Sequence, residues 1–213
     1  MTAGAGVKER QQLLTFAAVA TTPKRAAVQA DVLKATEQLL AGGTAWADLG
    51  VERIATTAGI SRTAFYFYFA DKRELLMRLT EDVSELLYLE AERWYSGEGE
   101  PEEEIREALV NVVALYEEHE ALLRVIVEVS TYDEEVARFW RSLMGRFVEA
   151  TRITIEKEQA EGRAPAYPAE ATAFALVWMV ERLLYQWTVQ ETPFSREEAF
   201  EAAVRVWIRS VYD

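Results

Sequence analysis

The chain has 213 residues, a formal net charge of −13, half its residues hydrophobic, no cysteine and one histidine, His119. A core of ordinary domain size is available, whereas a disulfide scaffold, a thiol nucleophile, an iron–sulfur cluster, a thiolate zinc site and any multi-histidine metal site are excluded. Carboxylate chemistry is the routine catalytic chemistry left, and ten glycines and five prolines among abundant Ala, Leu, Glu and Arg point to an all-α chain.

Charge is unevenly placed. Residues 1–73 carry nine Lys/Arg against six Asp/Glu, a net of +3; residues 74–213 carry fourteen against thirty, a net of −16. A mildly basic head on an acidic body suggests two jobs in one chain, with any DNA contact confined to the head. Residues 1–23 are expected to form a flexible arm. Within them, Leu13–Ala20 follows Lys8 and Arg10 and ends in Ala18-Val19-Ala20, which loosely resembles a signal-peptide cleavage site. The apolar run is short, however, and Glu9, Gln11 and Gln12 dilute its basic start. The longest apolar run, at 171–180, is about half the roughly 20 residues a spanning helix needs, so no membrane segment is expected and a cytoplasmic location is.

Helical punctuation recurs along the chain. Val28, Val32, Ala35, Leu39 and Leu40 predict a first helix over 24–40, ended by Gly42-Gly43. A short helix over 51–58 turns Ile54 and Ala55 inward, and Gly59 falls where a helix end wants a left-handed residue. Ser61 caps a third helix over 62–69. Asp71-Lys72-Arg73-Glu74 reads as a capping box opening a long fourth helix that ends near Trp94. After a glycine-containing break, Pro101 opens a helix with Glu102, Glu103 and Glu104 at the positive end of its dipole. A short helix over 121–130 follows. Thr131-Tyr132-Asp133-Glu134 reads as a second capping box, opening a helix to 161. The segment 162–168 is a loop. Two last helices cover 169–190 and 196–211, the final one behind a third capping box, Ser195-Arg196-Glu197-Glu198. The expected fold is all-α, about nine helices, without strands or repeats.

The segment 51–76 is the most informative. Two short helices joined by Ala58-Gly59-Ile60-Ser61 have the spacing of a helix-turn-helix. Spacing alone leaves an ordinary helical hairpin equally open. The run Phe65-Tyr66-Phe67-Tyr68-Phe69 shifts the balance. At about 100° per residue, Phe65 and Phe69 share one face and can plug a core against Ile54 and Ile60. Tyr66, Phe67 and Tyr68 then point elsewhere, where phenol hydroxyls suit phosphate oxygens and an exposed phenylalanine suits a thymine methyl.

The stretch from Ala58 to Phe69, followed by Asp71-Lys72-Arg73-Glu74-Leu75-Leu76, resembles the DNA-binding signature of TetR-family transcriptional regulators. Phe-Tyr-Phe-Tyr-Phe after Gly-Ile-Ser-Arg is similar to the ethionamide-resistance branch of that family. The resemblance implies a helix-turn-helix head at 24–70 and a ligand-binding and dimerisation body at 71–213. It also implies a homodimer built on helices eight and nine and a repressor that a small lipophilic effector releases from a palindromic double-stranded operator. It makes Tyr66 and Lys72 phosphate contacts, with Tyr68 beside them. Arg62, Thr63 and Phe67 become candidates for base contacts, and Ser61 a cap that also meets phosphate. One position departs: where the family has Ser or Thr before helix two, this chain has Gly50, so no hydroxyl contact is carried over.

The body's aromatics suit an apolar cavity. The candidates are Ile105, Leu109, Val112 and Tyr116 on helix five; Phe139, Trp140, Leu143 and Phe147 on helix seven; Phe174, Val177, Trp178 and Glu181 on helix eight; and Trp207 on helix nine. Branch members offer asparagines from helix eight, and the matching positions look like Val177 and Val180, so this pocket is expected to be more apolar. Glu181 interrupts that helix and faces either a cationic ligand or an internal arginine. For the dimer, helix eight is apolar almost all round, and Phe200, Val204, Trp207 and Val211 are expected to join it. His119, among Glu117, Glu118 and Glu120, reads as a solvated surface residue. No cofactor, metal or enzymatic activity is expected. The rival readings are a carboxylate enzyme, for which Glu181 is the one acid to nominate, and a protein-binding adaptor bundle.

Overall fold

A computed structural model describes residues 23–96 and 99–213; of the arm expected at 1–23, residues 1–22 lie outside them, and Pro23 belongs to the first helix instead. Nine α-helices and one 3-10 turn are found among the described residues, and no strand. The chain divides into two compact units, one ending at Ala70 and one running from Asp71 to Asp213.

The first unit holds α1 (Pro23–Ala41), the 3-10 turn Trp46–Asp48, α2 (Val51–Thr57) and α3 (Arg62–Tyr68). Val32, Ala35, Leu40, Trp46, Leu49, Ile54, Ala55, Phe65 and Phe69 are its buried apolar residues. α2 packs on both α1 and α3. It ends in a paired bond pattern in which Ile60 N–H donates to Ala55 O and Gly59 N–H to Thr56 O. That pattern requires a left-handed residue, and Gly59 sits at φ 71°. The turn carrying Trp46 has no periodicity of its own, and sequence reading missed it.

The second unit holds α4 (Lys72–Ser96), α5 (Pro101–Glu118), α6 (Glu120–Val129), α7 (Glu134–Ala160), α8 (Ala169–Val189) and α9 (Arg196–Tyr212). α4 packs along α5 and against α6 and α7; α8 packs on α7, and α9 on α5 and α8. Arg106 on α5 grips Glu201 on α9 at 2.5 and 3.0 Å. Arg73 lies 3.5 Å from Asp133 and 2.5 Å from Glu135, fastening the start of α4 to the start of α7.

Two local expectations need correction. The cap of α7 is Asp133, not Thr131. Asp133 Oδ1 accepts from Glu135 N–H and Val136 N–H, while the Thr131 hydroxyl turns back and donates to Glu128 O. A carboxylate two residues nearer the helix wins those amides. His119 is half-buried rather than solvated: it joins α5 to α6, and its carbonyl accepts from Leu122 and Leu123 N–H. The box at Ser195 forms in full: Ser195 Oγ accepts from Glu198 N–H, and Glu198 accepts from Ser195 N–H.

Candidate DNA-contacting helix and ligand cavity

α3 begins at Ser61, whose Oγ accepts from Ala64 N–H at 3.1 Å. Phe65 is fully buried, with the Phe69 ring centroid 5.4 Å away. Of the rest of the aromatic run, Tyr66 and Phe67 are exposed, Phe67 to 67 % and Tyr66 to 46 %. Arg62 and Thr63 are exposed beside them. Tyr68 is half-buried. Arg25 of α1 explains part of that cover, because its guanidinium stands 5.3 Å from the Phe67 ring centre and 5.7 Å from that of Tyr68. This cation, from another helix, was not singled out by sequence reading. Arg62 stands 5.9 Å over the Tyr66 ring. Lys72 opens α4 in the other unit. Gly50 is the cap of α2 and supplies no side-chain bond.

The second unit contains a cavity that is partly open to solvent. α4 contributes Ser84, Leu87, Ala91, Trp94 and Tyr95; α5 contributes Ile105, Ala108, Leu109, Val112 and Tyr116. Leu123 of α6, Trp140, Met144 and Phe147 of α7, Val177, Val180, Glu181 and Leu184 of α8 and Trp207 of α9 complete the wall.

Nine of the thirteen residues expected here line this space: Ile105, Leu109, Val112, Tyr116, Trp140, Phe147, Val177, Glu181 and Trp207. Phe139, Leu143, Phe174 and Trp178 do not. Phe174 is 57 % exposed, and its ring lies 6.1 Å from that of half-buried Trp178 on a different stripe of α8. Phe139 and Leu143 flank the Trp140–Met144–Phe147 stripe of α7 instead of belonging to it. The α4 wall was missed almost entirely, although 84, 87, 91, 94 and 95 recur at helical spacing. The expected interface residues Val204, Trp207 and Val211 are likewise buried within their own unit. Val206 is the large apolar residue that α9 exposes.

Polar groups in the wall are few. The Tyr116 hydroxyl, both Glu181 carboxylate oxygens and the Trp207 indole N–H are buried, with no hydrogen-bond partner among the described residues. Glu181 is only 6 % exposed. Burial pushes its carboxyl above the ordinary range, with Arg182 opposing. Tyr116 is raised by burial first and then by the neighbouring Glu181 charge. Arg182 Nε is 3.6 Å from Glu181 Oε2, an ion-pair contact too long for a hydrogen bond. Its half-exposed guanidinium lies over the Tyr185 ring, 5.0 Å from the centre.

Residues 32–79 match the family described as "Bacterial regulatory proteins, tetR family", and residues 105–213 match "Transcriptional regulator EthR, C-terminal domain". The chain belongs to the TetR family of transcriptional regulators. It is 30 % identical over 185 residues to the HTH-type transcriptional regulator EthR of Mycolicibacterium smegmatis, covering 84 % of this chain and 83 % of the relative. It is 30 % identical over 170 residues to the Mycobacterium tuberculosis regulator of the same name, covering 78 % and 79 %. The fold is that of NalD, the secondary repressor of the MexAB-OprM efflux pump of Pseudomonas aeruginosa, with a TM-score of 0.69 at 18 % identity over 90 % of this chain and 98 % of NalD. This TetR-family chain is thus a DNA-binding transcriptional regulator whose body is of the EthR C-terminal type. Among the described residues, no helix is long and apolar enough to cross a membrane.

Proposed function

We propose that this regulator is a cytoplasmic, non-enzymatic repressor that holds a palindromic operator as a homodimer and lets go when a small lipophilic molecule fills the cavity. In this reading residues 24–70 bind DNA and 71–213 bind effector and partner. Arg62, Thr63 and Phe67 read bases. Ser61, Tyr66, Tyr68 and Lys72 meet phosphates, with Arg25 adding positive charge beside the exposed rings.

One observation carries the switch. Five residues of the cavity wall belong to α4, the helix that follows the DNA-binding unit directly in the chain. α4 is 25 residues long without interior glycine or proline and behaves as a rigid lever. A ligand that repositions α4 therefore repositions what precedes it. The two α3 helices of a dimer then no longer match successive major grooves, roughly 34–36 Å apart. The effector acts only through its different affinity for the two states. Phe174 and Trp178 of α8 with Val206 of α9 are the apolar surface we assign to the dimer, in place of the buried Val204, Trp207 and Val211. Against the enzyme reading, Glu181 is the one acid in the described wall, and general acid–base hydrolysis by paired carboxylates needs two.

The test is operator titration after the operator has been mapped by sequencing DNA bound in cells. Val112→Trp, which fills the cavity, is expected to lower operator affinity while light scattering still reports a folded dimer. Lipophilic compounds whose binding is verified by calorimetry should do the same to the wild type. The reading fails if bound compounds leave operator affinity unchanged.

A further inference from the structure

The cavity is almost wholly apolar, yet it hides a carboxyl group. An ionisable group in such a place costs stability unless it is paired. Its own chain pairs it poorly. Arg182 makes no hydrogen bond to it, is half exposed and lies over Tyr185. Tyr116 of α5 lines the same cavity, and the Glu181 charge adds to the burial that raises its hydroxyl. That hydroxyl too accepts and donates nothing within the described residues. Glu181 and Tyr116, their polar atoms buried and unpartnered among the described residues, thus line one space with Trp94, Tyr95, Trp140, Phe147 and Trp207. Aromatic faces attract cations, and more strongly where water is excluded.

We infer that the effector of this regulator is a lipophilic ammonium ion, whose N–H groups donate to Glu181 and Tyr116 while its hydrocarbon portion fills the aromatic space. This rests on the effector reading above and names the chemical class that the cavity selects. A neutral amphiphile brings the carboxyl no counter-charge beyond the long Arg182 contact, and an anion adds repulsion. Selection is therefore built into one side chain rather than into cavity shape. A buried carboxyl without a hydrogen bond is also the signature of a group kept for binding at the expense of stability.

The experiment compares octylamine, 1-octanol and octanoate by calorimetry on the full chain at pH 7, then by operator release. Octylamine is expected to bind about 10- to 100-fold more tightly than octanol, the range a charged hydrogen bond supplies, and octanoate most weakly. Glu181→Gln keeps the shape, removes the charge and should erase the difference between amine and alcohol. A second readout needs no ligand. Burial raises the Glu181 pKa, so the folded state holds that proton more tightly than the unfolded state. Stability then falls as pH climbs through the folded pKa, and the deficit persists above it. Glu181→Gln should raise the melting temperature of the free protein at pH 7; a Glu181 that served only to hold the fold would lower it. If octanol binds and releases operator as well as octylamine does, this inference is overturned and the effector reading stands. If no amphiphile binds, both are overturned.

Discussion

Tyr66 and Phe67 stand in solvent on α3, whereas Trp94, Tyr116 and Trp207 are buried in the second unit. The two regions are equally aromatic, but their rings carry different information. A small three-helix unit has buried Phe65 and Phe69 and has no core left for the next rings, so their exposure points to a partner outside the chain. In the body the reverse holds. Buried rings are accounted for by the core itself, and only the polar atoms among them point outward from structure to function. Glu181, the Tyr116 hydroxyl and the Trp207 N–H are such atoms. An exposed apolar group and a buried polar group are the informative exceptions to the same rule.

Phe65→Ala tests the head side of this comparison most severely. It removes a fully buried ring from a unit of seventy residues at most and should cost about 3–5 kcal/mol. Calorimetry should show the first unit melting early and operator binding lost. The second unit should keep its own transition and its ligand. Simultaneous loss of both would mean that the two regions are not independent in stability. Arg62→Ala comes next. It leaves the fold alone and should cost about 1–3 kcal/mol of operator affinity while relaxing preference at one or two base pairs, if the contact is bidentate. Lys72→Ala should instead weaken binding to every sequence and reduce the salt slope by about one, read from titrations at several salt concentrations. If both bind a mapped operator like the wild type, α3 is not the reading helix.

A smaller and pH-dependent effect belongs to the body. Arg163 donates to buried Glu158 at 2.7 and 2.5 Å, across the turn that ends α7. Those bonds hold the Glu158 carboxyl below its ordinary range. The folded pKa is depressed, so this stabilisation is present above the unfolded value and is lost as pH falls through the folded one. Arg163→Ala should therefore lower the thermal midpoint at pH 7, and the difference from wild type should shrink once the pH drops below about 4. A constant difference across that range would assign the loss to packing instead.

The head was legible because its signals are local: a glycine at a left-handed turn, a serine cap and a ring run too large for its core. The body was legible as helices but not as walls. α8 is apolar on nearly every side, so sequence could not say that Val177, Val180, Glu181 and Leu184 form the inner stripe while Phe174 lies outside. That choice is made by neighbours distant in sequence. α4 shows a different failure. Its stripe at 84, 87, 91 and 94 was available at helical spacing, but Ser84 and Ala91 carry no aromatic signal. Caps were ambiguous for a related reason: Thr131 and Asp133 are both cap residues, and only the turn geometry chose between them.

The smallest expected effect tests the head where it departs from its family. Gly50 caps α2 without a side-chain bond, at φ −79° and ψ 149°. This is ordinary cap geometry for a residue with a side chain. A Cβ added there meets nothing within 4 Å. Gly50→Ser can therefore place a hydroxyl on a free amide of the first turn without moving anything. The gain in stability should be a few tenths of a kcal/mol, the usual difference between Gly and Ser at a cap. The hydroxyl also offers DNA one more hydrogen bond to a phosphate. That contact is uncharged and releases no counterion. Operator affinity should thus rise modestly with an unchanged salt slope, unlike the loss expected for Lys72→Ala. If stability rises and affinity does not, α2 lies away from the backbone of the operator. The α2–α3 pair then docks differently from the helix-turn-helix arrangement argued above.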